Sequence, residues 1–232
     1  VLLDEMNLAH VEYYFAQFLS AFEADGVVTV PGASLDQSEL RLPHRTRPSE
    51  LAFFGTINID ETTHVLSDKV LDRCNLIEVR MTSFPTLFAE SQPKTELGVT
   101  VEQLRSWRDV PKGTDLATPA LKAIVTALAT ETPPSDTTSA RTHGRGIHLG
   151  YRLVRDIGLF CHFAANLGVD EKTALDWQVC QRILPRIRGD GRLGHALKQL
   201  DDELVKQELP RSRQRLQRLL RDLEDGFVSF WA

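Results

Sequence analysis

The stretch 51–79, LAFFGTINIDETTHVLSDKVLDRCNLIEV, constrains the fold more than any other part of the chain. It opens on the apolar run 51–54, which reads as a buried strand. It then passes Thr56, Asn58, Asp60 and Glu61, runs through a short helical segment at 67–71, and closes on a second strand-like run, 76–79. Two buried strands around a polar loop and an arginine are the pattern of an α/β sheet. In such sheets the loops at the carboxyl ends of the strands carry the ligand chemistry. Asn58 and its neighbours either occupy that position or form a solvated turn.

A second apolar run stands at the first residue. The segment VLLDEMN places three apolar residues before the adjacent carboxylates Asp4 and Glu5. A buried strand ending in Asp-Glu is how hydrolases of Mg-bound nucleoside triphosphates set one carboxylate on the metal shell and another near the attacking water. The same spacing also describes a strand that simply ends at solvent. The segment 9–23 follows, with Val11, Tyr14, Phe15, Phe18, Leu19 and Phe22 at helical spacing, an aromatic stripe that predicts a core-facing helix. A short strand is expected at 27–30. The polar run 33–50, with Arg41, His44, Arg45 and Arg47 among prolines, is either a solvated loop or one that touches phosphate.

Beyond residue 82 the character changes. Pro85, Pro93 and Pro111 punctuate a linker over 83–115, and 131–146 is a loop rich in Pro, Ser, Thr and Gly. Between and after them lie helix patterns at 116–130, 150–167, 172–187, 193–205 and 212–223, the last N-capped by Ser212 and studded with Arg213, Arg215, Arg218 and Arg221. The apolar tail 227–231 is expected to join a sheet or pack on the helices. The organisation is therefore an α/β part over 1–82 and an all-helical part over 116–232.

A formal charge of −5 gives no overall basic signature, so contact with nucleic acid would need a local patch. Three cysteines without CxxC spacing argue against a disulfide framework and against a zinc site. No stretch approaches the roughly 20 apolar residues of a membrane span, and no leader pattern opens the chain, so a cytoplasmic protein without a membrane partner is expected.

Taken together, VLLDEMNLAHVEYYFAQFLSAFE and FFGTINIDETTHVLSDKVLDRCNLIEV resemble the AAA+ nucleotide-hydrolysing core from its Walker B strand onward, and within it the McrB branch. Members of that branch are motor subunits of modification-dependent restriction systems. The pieces GYRLVRDI, ALDWQVCQRILPRIRG and GFVSFW resemble the helical lid of that branch. The resemblance implies an α/β AAA+ core, the C-terminal half of a parallel P-loop sheet, followed by an all-helical lid. It also implies a chain that starts at Walker B, because no GxxxxGK[ST] loop is present and in the family that loop lies upstream.

It further implies Mg2+ and either ATP or GTP. By resemblance Asp4 holds the metal through its water shell, Glu5 polarises the attacking water, and Asn58 orients that water as sensor 1. Arg73 matches the arginine finger that reaches a neighbouring subunit's nucleotide, and Arg152 matches sensor 2. The residues themselves leave other partners open: Asp72 or Asp68 for Arg73, and Asp156 for Arg152 one turn on. Partners implied are further copies of the chain in a hexamer, a nuclease subunit, and DNA through that nuclease or through an upstream region. A MoxR-like chaperone ATPase that remodels protein complexes and a non-hydrolysing AAA+ scaffold are the alternatives.

Overall fold

The structure, a computed structural model, describes residues 1–23, 27–29, 39–41, 53–60, 62–79, 100, 115–130 and 146–231. Leu51, Ala52, Glu61, His44, Arg45 and Arg47 lie outside them, as do most of the linker expected at 83–115 and of the loop expected at 131–146.

Strand β1, Leu2–Leu3, pairs in parallel with β4, Phe54–Gly55, in the register Leu2 opposite Phe54 and Leu3 opposite Gly55. Parallel neighbours need a crossover. Here the connection contains a helical run, α1 (Val11–Tyr14) and α2 (Ala16–Ala21), and an antiparallel pair, β2 (Val27–Thr29) with β3 (Glu39–Arg41). The helix expected at 9–23 is thus bent at Phe15, whose backbone leaves helical geometry while Phe15 N still donates to Val11 O. Val11, Phe15 and Leu19 are buried, and Phe15 stacks on Phe18 with ring centroids 4.6 Å apart. Phe53 meets that stack edge-on at 5.6 Å. The aromatic stripe is core. Tyr14 departs from it: half-exposed, it donates its hydroxyl to Met6 O at 2.8 Å.

Helix α3, Asp68–Leu71, buries Val70 and Leu71. The strand expected at 76–79 does not form. Ile77 and Val79 are exposed, and Leu76 N donates instead to Gln181 O of the helical part at 3.2 Å. No described strand lies beside this run to pair with it, and a helix carbonyl takes up its amide.

The helical part comprises α4 (Pro119–Ala129), α5 (Tyr151–Asn166), α6 (Glu171–Gln178), α7 (Gly194–Lys206) and α8 (Pro210–Glu224). Thr118 caps α4 by accepting from Leu121 N, with Pro119 preset for the first helical position. Helix α4 packs on α7, α7 on α8, and α5 on α6. The buried stripes repeat at helical spacing: Leu121, Ile124 and Leu128; Leu153, Ile157, Cys161 and Ala164; Leu197, Leu200 and Leu204. Gly158, beside the second stripe, is a glycine because a Cβ there would collide with the Leu116 carbonyl.

Helix α6 runs on into a π-helical segment, Val179–Ile183, and a 3-10 turn, Leu184–Arg186. Pro185 explains the widening. It has no amide to give to Gln181 O, and its ring crowds that carbonyl. The released Gln181 O is the one that Leu76 N engages.

Helix α8 starts two residues earlier than its sequence suggests, at Pro210, with Leu209 at the cap and no side-chain cap there. Ser212 is buried inside the first turn. It is Asp176, across from α6, that serves the helix start, accepting from Arg211 N at 2.9 Å and Ser212 N at 2.8 Å. The tail both joins a sheet and packs. Strand β6, Phe227–Ser229, pairs antiparallel with β5, Arg188–Asp190, while Phe230 and Trp231 are buried and Trp231 Nε1 donates to Pro185 O. No helix among the described residues is long and apolar enough to cross a membrane.

Candidate functional site

Two clusters gather the residues singled out from the sequence. The first is built by the parallel pair. Since β1 and β4 run side by side, their carboxyl ends bring 4–7 next to 56–58. Thr56 N donates to Leu3 O and Met6 N to Thr56 O, both at 2.9 Å, so the ladder continues past the strands. The Thr56 hydroxyl then joins the two carboxylate residues, accepting from Glu5 N at 2.8 Å and donating to Asp4 Oδ1 at 2.5 Å.

Glu5 sits in the left-handed region, φ 48 and ψ 44. A side chain with a Cβ pays about 1–2 kcal/mol for that conformation, and such strain persists only where neighbours hold it. Thr56 and the 3-10 turn Met6–Leu8 hold it here. Asp4 and Glu5 are exposed and line an open depression of about 350 Å³ with Leu2, Leu3, Met6, Leu8, Ala9 and Tyr14.

Asn7, not singled out from the sequence, fixes the loop that carries Asn58. It is buried, donates Nδ2 to Asn58 O at 2.7 Å and to His64 O at 3.1 Å, and accepts from Asn58 N at 3.3 Å. Its own carbonyl accepts from His64 N at 2.9 Å. One amide side chain thus fastens both ends of the 58–64 turn. The signal was its position, two residues beyond the second carboxylate of DEMN, where an amide is costly to bury without partners. Inside the turn Thr63 Oγ1 donates to Asn58 O, and Asp60 accepts from the amide and the hydroxyl of Thr62. Those Thr62 bonds hold the Asp60 carboxyl below its ordinary range. The His64 ring stacks on His10 at 3.9 Å. Asn58 itself is exposed, its backbone held on both sides.

The second cluster lies at the other end of the α1–α2 run. Arg73 and Arg152 both contact one oxygen, Glu23 Oε1, through Arg73 Nη2 and Arg152 Nη1. Arg73 also donates Nε to Leu19 O at 3.1 Å and Nη1 to Lys69 O. Leu19 O lies in the last turn of α2, so Arg73 caps that helix end. Neither Asp72 nor Asp68 is its partner. Arg186 takes Asp72 at 2.6 Å and Arg188 takes Asp68 at 3.1 Å. Arg152 has Glu23 as its ion-pair partner and acts on Asp156 through space. Asp4, Glu5 and Asn58 therefore come together, as do Arg73 and Arg152, with eleven residues of bent helix between the two groups, about 16 Å at 1.5 Å per residue.

Residues 72–78 are strapped to the helical part by Arg182 and Arg186, which the sequence did not single out, and by Arg215, one of the arginines noted on the last helix. Arg182, buried in the π-helical segment, donates to Asp72 O at 2.7 Å and lies 3.7 Å from Asp156. Burial raises the Asp156 carboxyl and lowers the Arg182 guanidinium from their ordinary values, each opposed by the other's charge. Burial also pushes the Cys74 thiol up, against Arg182 and Arg186. Gln178 Nε2 reaches Asn75 Oδ1 at 3.2 Å, and Arg215, stacked on Phe230, stands 3.7 Å from Glu78.

For a metal, Asp4 and the Thr56 hydroxyl offer an all-oxygen donor set. That set suits Mg2+, which binds by one or two carboxylates and keeps several waters and substrate phosphates. Among the described residues no three His, Cys, Asp or Glu side chains gather as a direct cage.

Residues 140–227 match a family described as a domain of unknown function (DUF8727). That span takes in α5 to α8 with Arg152 and Arg182, and does not reach 1–79. No curated protein and no solved structure matches the chain.

Proposed function

We propose that the chain is the hydrolytic and lid portion of an AAA+ nucleoside-triphosphatase of the McrB type, a motor subunit of a DNA restriction and defence system. The observation that carries the reading is the junction at the carboxyl ends of β1 and β4, where one threonine, Thr56, ties Asp4 to Glu5 beside the turn bearing Asn58.

In this reading Asp4 faces Mg2+, which when bound neutralises charge developing on the phosphates. Glu5 orients a water and draws on its proton. The water oxygen bonds to the γ-phosphorus, the bond to the β–γ bridging oxygen breaks, and a nucleoside diphosphate and inorganic phosphate result. Asn58, its backbone locked by Asn7, presents its side-chain amide to that water. Most of such catalysis is positioning, which explains why a strained Glu5 and a doubly fastened loop are worth holding. Arg73 acts on a neighbouring subunit's phosphate, a role worth about 10³ to 10⁵ in rate, and Arg152 on the phosphates from the lid. The active unit is then an oligomer, a hexamer by resemblance. Its hydrolysis cycle drives a nuclease partner on DNA in the cytoplasm.

One observation favours a second reading, the non-hydrolysing scaffold: Arg73 is satisfied within its own protomer by Glu23, Leu19 O and Lys69 O. Turnover of ATP and of GTP by the complete natural protein separates the two. The motor reading expects one nucleotide to be hydrolysed, with Glu5→Gln binding it but losing turnover and Arg73→Ala losing turnover as well. Absence of hydrolysis of both nucleotides, with candidate nuclease partners added, supports the scaffold.

A further inference from the structure

Within α8 the segment 211–221 carries five arginines and no carboxylate, in a chain whose formal charge is −5. The fold splits the five. Arg215 stacks on Phe230 with Glu78 3.7 Å away, and Arg213 faces Asp201 of α7 at 3.4 Å. Arg211, Arg218 and Arg221 are exposed on the outward side of the helix, whose inward side buries Ser212, Leu216 and Leu219. Seven residues and then three separate them, so the row runs about 15 Å along the axis at 1.5 Å per residue.

The row is set apart by its lack of counter-charge. Every other arginine whose side chain the structure describes has a carboxylate oxygen within 3.7 Å, including exposed Arg188, with Asp68, and exposed Arg192, with Asp190. Among the described residues no carboxylate pairs with the guanidinium of Arg211, Arg218 or Arg221; Asp176, at the foot of the row, takes the Arg211 amide instead. The Arg211 guanidinium lies over the ring of half-buried Trp177, 5.9 Å from its centroid. Stacking fixes the plane of a guanidinium and leaves its N–H edge for an anion. Asp222 and Asp225, both exposed, mark where the row ends.

We propose that Arg211, Arg218 and Arg221 form a contact face for the phosphodiester backbone of nucleic acid. Three unpaired forks in a row call for a polyanion whose charge repeats along its length, and duplex DNA carries one charge per about 1.7 Å of axis. Phosphate oxygens match the guanidinium fork, and a phosphate stands wherever the row lands, so the contact is independent of base sequence. The face lies inside the family-matched span 140–227. It goes beyond the motor reading, in which DNA is met through a nuclease or an upstream region, and it does not rest on hydrolysis.

The test is fluorescence anisotropy of a short labelled DNA duplex of arbitrary sequence, titrated with the chain over a salt series. Three phosphate contacts predict a slope of log affinity against log salt of about −2.7, which is about a 40-fold loss between about 50 and about 200 mM salt. Each single Arg→Gln substitution in the row is expected to reduce the slope by about 0.9, and the triple variant to abolish binding. Glutamine keeps the helix, because its propensity is close to that of arginine, and far-UV circular dichroism checks that it does. The control Lys69→Gln, Lys122→Gln, Arg188→Gln removes the same charge from exposed positions outside α8 and is expected to retain the binding. Absence of binding by wild type at the lowest salt, an unchanged triple variant, or an equal loss in the control overturns the proposal. Displacement of the duplex by polyglutamate at equal charge concentration also overturns it, and assigns the face to an acidic protein. A single-stranded arm of the same sequence tells the two forms of nucleic acid apart, and the face stands with either. Binding found without nucleotide turnover by the complete protein leaves the face and removes the motor; turnover without binding does the reverse.

Discussion

Residues 1–79 and the helical part, 115–231, divide the work of this molecule unevenly. Among the described residues, the largest side chains less than 2% exposed, from Leu121 and Ile124 through Leu197, Leu200 and Leu204, all belong to the helical part. The exposed large apolar side chains among the described residues lean the other way: ten, among them Val1, Leu2, Phe54, Ile77 and Val79, lie in the first 79 residues, against four, Tyr151, Leu167, Val205 and Phe227, in the helical part. The candidate hydrolytic groups stand in the thinly cored half. Their order comes from a few polar links, Thr56, Asn7 and the Glu5 backbone, while the helical part supplies the mass of apolar burial that stabilises the fold. One apolar cluster still joins them, running from Val11, Phe15 and Val70 into Ile157 and Leu175.

The largest effect is expected where that contrast is sharpest. Leu200→Ala, at a position with 0% exposure, should cost about 2–5 kcal/mol in urea unfolding, whereas Phe54→Ala, at 68% exposure, should stay within about 0.5 kcal/mol. Equal losses would dissolve the contrast. Next comes Asp176→Ala, which strands the Arg211 and Ser212 amides in the helical part while the Ser212 hydroxyl keeps Asp176 O, at about 2–3 kcal/mol by denaturation.

Asn7→Ala sharpens the comparison from the other side. It leaves Asn58 O and His64 O without that partner, so a loss of about 1–3 kcal/mol is expected. Faster amide exchange should be confined to 56–64, and loosening of α7 or α8 would contradict the division. A further effect is in pH. Burial, with the Glu171 carboxylate adding, pushes the Cys161 thiol up to about 12, against about 8.5 in an unfolded chain. Its contribution is complete below the unfolded value and is lost as pH rises from about 8.5 toward about 12, because only the unfolded state then releases the proton. Urea midpoints at pH 8 and pH 10.5 should therefore diverge in wild type and do so less in Cys161→Ala.

What the sequence made legible follows the same division. Helices with buried stripes were readable because their period is local: 150–167 against Tyr151–Asn166, and 193–205 against Gly194–Lys206. Asp4-Glu5 and Asn58 were readable as polar ends of two apolar runs, and it is the parallel pairing of β1 with β4 that sets those ends side by side. Pairings between distant segments were not. Nothing local tells that Glu23 takes both Arg73 and Arg152, that Asp176 rather than Ser212 serves the start of α8, or that the 76–79 run gives its amide to a carbonyl freed by Pro185. Each depends on which of several equivalent partners the tertiary fold brings within reach. The bend at Phe15 was equally hidden, since the apolar spacing continues through it.

Native-state hydrogen exchange on the chain as it stands tests the division most directly. The amides of Met6, Thr56 and His64, which close the junction between 1–8 and 54–64, should exchange through local openings well below the free energy of global unfolding. Those of Leu200 and Leu204 within α7 should exchange only with global unfolding. Equal protection at both sets would show one uniformly stable body and contradict the account.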